Sequence, residues 1–203
     1  MQHSDAVSGD PEHGAAEGGA ARAGDESAAR RIALDALSRS ARTRGQLEAL
    51  LERKGVSSEA SGAVLDRFEE VGLVDDAGYA EAFVESRHRV RGQGGRAIAF
   101  ELRRRGVADD VVAEAVGALD SDQQFATACR VAQSRLGRLS GLPPEVKVRR
   151  LAGLLAHKGY SGDIAARAVR EVLDAAALEA SGELEDWSEL AEREVDGESE
   201  GRA

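Results

Sequence analysis

Leu47-Glu48-Ala49-Leu50-Leu51-Glu52-Arg53-Lys54-Gly55-Val56 has two echoes further along the chain. They are Ile98-Ala99-Phe100-Glu101-Leu102-Arg103-Arg104-Arg105-Gly106-Val107 and Leu151-Ala152-Gly153-Leu154-Leu155-Ala156-His157-Lys158-Gly159-Tyr160. The three glycines are 51 and 53 residues apart. Aligned on them, the match continues downstream. An acid stands four residues after each glycine (Glu59, Asp110, Asp163). Apolar residues follow at five (Ala60, Val111, Ile164), ten (Leu65, Val116, Val169) and thirteen (Phe68, Leu119, Val172). A period near fifty with this many matched positions is the signature of tandem structural repeats.

Each repeat reads as three helices. The apolar pair at eight and four residues before the glycine shares one helix face. The glycine just past a Lys or Arg ends that helix, taking the left-handed conformation while the cation meets the negative end of the dipole. A following helix carries its acid in the first turn and an apolar stripe behind it, with positions nine and ten after the glycine included. A preceding helix holds Ile32, Ala33, Leu34 and Leu37 in the first repeat. In the second it holds Tyr79, Ala80, Phe83 and Val84, and in the third Phe125, Ala126, Cys129 and Ala132. Tyr79 and Phe83 are expected in the core. Thr43-Arg44-Gly45-Gln46 has the form of a capping box, and Pro143-Pro144-Glu145 suits a helix start. Asp75-Asp76 and Asp120 to Asp122 suit the caps of the preceding helices.

The fold expected is therefore all-α: three-helix repeats over 28–75, 76–121 and 122–176, stacked into an elongated, curved array. Laid end to end, the helices suggest a long axis on the order of 70 Å. Composition agrees. Apolar residues are 42%, charged residues 32% and aromatics only 3%, a balance leaning to helices. No apolar run is long enough to span a membrane, and the first residues do not read as a secretory signal. A single cysteine, Cys129, fits a reducing cytoplasm.

The net charge of −10 hides an uneven distribution. Residues 1–27 carry −5, residues 177–203 carry −8, and the body between them carries +3. The head, poor in large apolar side chains, is expected to be disordered. In the acidic tail, Leu184, Trp187 and Leu190 permit a short helix near 183–194, although a solvated tail is the preferred reading. A mildly basic body remains open to a polyanionic partner.

Catalysis finds little support. Four histidines (His3, His13, His88, His157) lack a second ligand at metal spacing on a shared helix face, and no cofactor is expected. Cys129 reads as a structural thiol. Gly92-Gln93-Gly94-Gly95-Arg96 follows a helix, lacks the Lys-Ser/Thr ending of a phosphate loop, and is read as a flexible joint.

The basic residues carry more information. From Arg87 to Arg105 there are seven arginines (Arg87, Arg89, Arg91, Arg96, Arg103, Arg104, Arg105) against one acid, Glu101. With Ile98 and Leu102 inward, Arg96, Phe100 and Arg103 or Arg104 share another stripe. A cationic stripe holding an aromatic suits nucleic acid or an acidic protein surface. A solvated face with Phe100 filling a local gap is the alternative. Lesser clusters are Lys147, Arg149 and Arg150 in the third repeat and Arg39, Arg42 and Arg44 in the first.

Asp75-Asp76-Ala77-Gly78-Tyr79-Ala80-Glu81-Ala82-Phe83-Val84-Glu85-Ser86-Arg87 resembles the most recognisable motif of the RecX regulatory proteins. Gly94 or Gly95, Ile98, Glu101-Leu102 and Gly106-Val107 match that family's next block, and the likeness spans roughly 28–176. The long acidic ends depart from a compact member. The resemblance implies a non-enzymatic, cytoplasmic protein that binds the RecA recombinase filament in its groove. It implies mostly inhibition, of filament growth, ATP hydrolysis, strand exchange and coprotease action, and so a place in DNA repair, recombination and the SOS response. A monomer without membrane or small-molecule substrate is expected. Two other readings stay open: a module competing directly for single-stranded DNA, and a helical adaptor using the tail around Trp187.

Overall fold

A computed structural model describes the backbone of residues 11–199 and the side chains of residues 24–181. Among these are nine α-helices and no strand. They are α1 (Pro11–Leu37), α2 (Arg44–Arg53), α3 (Ser58–Glu70), α4 (Asp76–Arg91), α5 (Gly95–Arg103), α6 (Asp109–Gly117), α7 (Ser121–Leu136), α8 (Pro144–His157) and α9 (Gly162–Ser199). A 3₁₀ turn, Gly137–Leu139, follows α7. Three helices serve each repeat, as the periodicity requires.

The glycine that ends each second helix works the same way three times. Gly55, Gly106 and Gly159 have φ of 78°, 81° and 87°. In each turn the residue after the glycine donates its N–H back to the leucine carbonyl of the last helical turn. These bonds are Val56 to Leu51 (3.1 Å), Val107 to Leu102 (3.3 Å) and Tyr160 to Leu155 (3.1 Å). This is the six-to-one bond that closes a helix through a left-handed residue. Six inward residues lie under these turns, Leu47, Leu51, Ile98, Leu102, Leu151 and Leu155, and none has any solvent exposure.

Starts are set by side chains. Thr43 and Gln46 form a complete capping box on α2. Ser57 caps α3, Asp120 caps α7, and Asp75 accepts the Gly78 N–H at 2.9 Å to open α4. Asp76 does something the sequence reading did not assign to it: its carboxylate accepts the Arg44 N–H at 2.8 Å, at the start of α2. Burial raises its pKa from the ordinary carboxylate value.

Positions six and nine after the glycine are buried in all three repeats, whereas ten and thirteen are buried in the first and third and only half-buried in the second (Val116, Leu119). Position six (Ser61, Val112, Ala165) was absent from the expected stripe and is buried in all three repeats. Position five is buried in the first repeat (Ala60) and only half-buried in the others (Val111, Ile164). A stripe of period 3.6 tolerates this shift of one residue.

Two compact units divide the chain: residues 1–83 with 101–115, and residues 84–100 with 116–203. The core of the first joins Ala29, Ala33 and Ala36 of α1 to Leu47, Leu51, Val64, Leu65 and Phe68. Alanines on α1 let helices approach closely. The second joins Ala128 and Ala132 of α7 to Leu151, Leu155, Tyr160, Ala168 and Val172.

At the ends, residues 1–10 and 200–203 fall outside the described residues. Just ahead of residue 28, Asp25 on α1 is bonded to the start of α3. Its carboxylate accepts the Ser57 N–H (3.1 Å) and hydroxyl (2.6 Å), which lowers its pKa. The backbone of α9 continues as helix through the tail to Ser199, with the side chains of the 183–194 segment outside the described set.

Within each unit, one repeat joins the next by the same contact. In the first unit, the Thr43 hydroxyl at the start of α2 donates a short hydrogen bond to the Arg105 carbonyl. A methyl group on Gly45 would lie 2.8 Å from Gly106 Cα. In the second unit, the Gly94 N–H at the start of α5 donates to the Lys158 carbonyl at 2.8 Å, and the Arg96 N–H to the Gly159 carbonyl at 3.1 Å. A methyl group on Gly159 would collide with the Ala97 nitrogen. The Tyr160 hydroxyl donates to the Gly92 carbonyl at 3.1 Å, and Lys158 Nζ to the Arg91 carbonyl at 2.7 Å. Gly92 to Arg96 is thus a fixed seat and not the flexible joint expected. Gly94 is there because backbone meets backbone, while a methyl group on Gly92 or Gly95 would meet the side chains of Val131 and Val116.

These contacts make two predictions. Gly55→Ala meets open space and carries only the left-handed penalty, about 1 kcal/mol. Gly159→Ala adds a backbone collision and should cost about 3 kcal/mol or more. Urea denaturation of both variants reads the difference, and equal losses would show the joint to be plastic. The second concerns Tyr160, whose burial pushes its pKa from 10.0 up to about 12. A raised phenol pKa stabilises the fold below the unfolded value and is lost above it. Stability should therefore fall by about 2–3 kcal/mol as pH rises from 10 toward 12. Tyr160→Phe should flatten that slope in alkaline thermal melts.

Candidate partner-binding surface

In the second unit, the last turn of α4 and the first turns of α5 carry Arg87, Arg89, Arg91, Arg96 and Phe100. Arg89, Arg91 and Arg96 are exposed, and Arg87 is half-buried. Phe100 is 62% exposed, which is unusual for a phenylalanine. Ile98 on the same helix is fully buried, so the division of α5 into an apolar face and an outward face holds. The third repeat adds Arg149 and Arg150, exposed on α8, with Lys147 half-buried.

In the first unit, Arg103 and Arg104 are exposed and Arg105 is half-buried. Arg105 is tied inward. Its guanidinium lies 4.7 Å from the centroid of the Phe83 ring and donates to the Tyr79 hydroxyl at 3.0 Å. Tyr79 and Phe83 stack with centroids 6.0 Å apart at 16°. Both rings are half-buried, under Arg105 and not deep in the core. The spacing of the two aromatics was legible; the arginine that covers them comes from α5's end and was not.

Several arginines make exposed ion pairs. Arg89 meets Glu85 at 2.5 Å and Arg103 meets Asp109 at 2.6 Å. Exposed pairs contribute about 0–1 kcal/mol, so an external carboxylate or phosphate can replace them at little cost. Arg91 and Arg89 also sit where α4's dipole favours cations, which is a local reason for their presence. The first-repeat cluster is different. Arg44 binds Glu48 (2.9 Å), Asp66 (2.7 Å) and Glu69 (2.6 Å), linking α2 to α3, and its pKa is raised by these carboxylates against the opposing effect of burial. Arg39 pairs with Asp35.

Among the described residues no group of three or more His, Cys, Asp and Glu side chains could hold a metal ion. Cys129 is half-buried, and burial raises its thiol pKa, leaving less thiolate. No described helix is long and apolar enough to cross a membrane. One feature absent from the sequence reading is a groove of about 560 Å³ on the third repeat, between Val148, Ala152 and Ala156 of α8 and Ala165 and Val169 of α9. Its sequence signal is the small residues at four-residue spacing on α8's outer face.

Arg105→Ala should cost about 1 kcal/mol by uncovering the two rings, whereas Arg96→Ala should leave stability unchanged. Paired thermal melts check this, and an equal loss would show both to be structural.

Comparison with known proteins adds the following. Models described as the first, second and third three-helix domains of RecX match residues 29–68, 75–116 and 122–169. A regulatory protein RecX of Thermobifida fusca is 52% identical over 151 residues, covering 74% of this chain and 82% of that protein. One from Streptomyces coelicolor is 45% identical over 146 residues, covering 72% and 78%. A crystal structure of RecX from Lactobacillus salivarius superposes with a TM-score of 0.70 at 24% identity, covering 74% of this chain and 97% of that one.

Proposed function

The chain belongs to the RecX family of regulatory proteins, and we propose that it is a non-enzymatic regulator that binds the RecA recombinase filament in the cytoplasm. There it restrains filament growth, ATP hydrolysis and strand exchange, and so controls DNA repair, recombination and the SOS response. The observation that carries this is the exposed cationic residues Arg89, Arg91 and Arg96 of the second unit, with the exposed Phe100 on α5, and Arg103 and Arg104 of the first. Arginines of this kind form charge-assisted bonds to carboxylates or phosphates, and an exposed aromatic is a common anchor at interfaces. Arg149, Arg150 and Lys147 extend the contact from the third repeat. Arg87 and Arg105, both half-buried, complete the set of proposed contacts. A chain bound across neighbouring protomers resists the rearrangement that the ATPase cycle requires.

The exposed Phe100 ring favours a second reading, direct binding of single-stranded DNA by stacking and phosphate contact. That reading requires affinity for DNA without recombinase, falling steeply with salt.

The test is strand exchange and ATP hydrolysis by the cognate recombinase with substoichiometric protein added. Inhibition is expected. Arg96→Glu, Arg103→Glu and Arg104→Glu together should lower its potency on the order of tenfold or more while the helical content stays unchanged. No effect of the unaltered chain at any ratio would defeat the proposal. An unchanged potency of the variant would defeat the assignment of the surface alone.

A further inference from the structure

Each inter-repeat joint has two halves. One is the left-handed glycine turn that ends a second helix, with the carbonyl just before the glycine as acceptor. The other is the start of the preceding repeat's second helix, with a donor at its cap position. That donor is the Thr43 hydroxyl in one joint and the Gly94 N–H in the other. Thr43 and Gly94 both stand twelve residues before their own glycine turns. Three repeats supply three turns and three starts, and the two joints use two of each.

The turn left over is Lys54-Gly55. Both residues are exposed, and a methyl group on Gly55 would meet nothing within 4 Å. At Gly106 and Gly159 the same position touches the docked helix. The start left over is that of α8, and it differs from the other two. Pro143 is its cap residue and Pro144 follows. Neither has an N–H, and neither side chain has a hydroxyl. Glu145 keeps an N–H at the place that Arg96 holds in the second joint, so what α8 lacks is the donor at the cap itself; beyond it, Val146 and Lys147 donate to the Pro143 carbonyl at 3.0 and 3.1 Å. The residue twelve before Gly159 is Lys147, so α8 opens a full turn earlier than the register of α2 and α5.

Were α8 to begin as α2 does, the chain would have two complementary ends. The α8 start of one copy would seat the Lys54-Gly55 turn of another. A head-to-tail contact of that kind leaves a new open end at every addition and grows without limit. We propose that Pro143 and Pro144 are an end block that withholds the cap donor from α8, the donor both internal joints use, and so prevents the chain from joining copies of itself in series. The block acts on backbone chemistry, which is the chemistry the two internal joints are made of.

The test restores the missing half. Pro143→Thr, Pro144→Arg, Glu145→Gly and Val146→Gln together copy Thr43-Arg44-Gly45-Gln46 onto the start of α8. Sedimentation of the full chain reads the outcome. The unaltered protein should keep the mass of one chain at every concentration. The variant's mass should rise with concentration beyond about twice that of one chain. Adding Gly55→Asn should return it to one chain, because Asn tolerates the left-handed turn while its side chain fills the seat. If the fourfold variant fails to fold, Pro143→Ser restores a donor with less disturbance and is read in the same way. A folded variant that keeps the mass of one chain would overturn the proposal. So would association that survives Gly55→Asn, or association of the unaltered chain that Gly55→Asn dissolves.

Discussion

Main chain seated on main chain is the constraint that the remaining structure serves. At Gly45 against Gly106, and at Gly94 against Gly159, two backbones approach to distances that a single methyl group would make impossible. The approach permits the donors at the helix starts to reach carbonyls that would otherwise be left without partners at a helix end. Buried polar groups of that kind are costly when unmet. One joint therefore satisfies the end of one helix with the beginning of another. Each fixes how two consecutive repeats meet inside its unit.

Much of this was legible in the chain, and the reason is geometric. A left-handed glycine after a basic residue, with leucines one and two turns earlier, announces a helix end wherever it occurs. Three occurrences at a regular interval announce three copies of one unit. The capping box at Thr43 to Gln46 was visible for the same reason, since all its parts lie within four residues. The seat at Gly92 to Arg96 was not. Its local composition reads as loose, and what makes it rigid is a turn more than sixty residues downstream. Position six of the third helices is not legible in the same way, since it is Ser61, Val112 and Ala165 in turn and carries no shared apolar side chain of any size.

The candidate surface divides along the same line. Sequence spacing correctly placed Arg96, Phe100, Arg103 and Arg104 outward, because Ile98 and Leu102 on the same helix fix the inward direction. It could not separate contacts from braces among the neighbours. Arg105 is adjacent to Arg104 in the chain, yet Arg104 is exposed while Arg105 covers Tyr79 and Phe83. Arg44 looked like another exposed cation and is instead held by three carboxylates from two helices. Abundant arginine is braced at some positions here and exposed at others, and only the acceptors within reach tell them apart.

Building the joints from peptide groups has an evolutionary corollary. A fit made by side chains drifts out of register when either partner changes, and must be repaired by a compensating change. A fit made by amide and carbonyl asks only that a few glycines stay bare and that a donor stay at the helix mouth. The outward residues are then decoupled from the architecture. They can be rewritten freely as whatever the chain must recognise changes shape or charge.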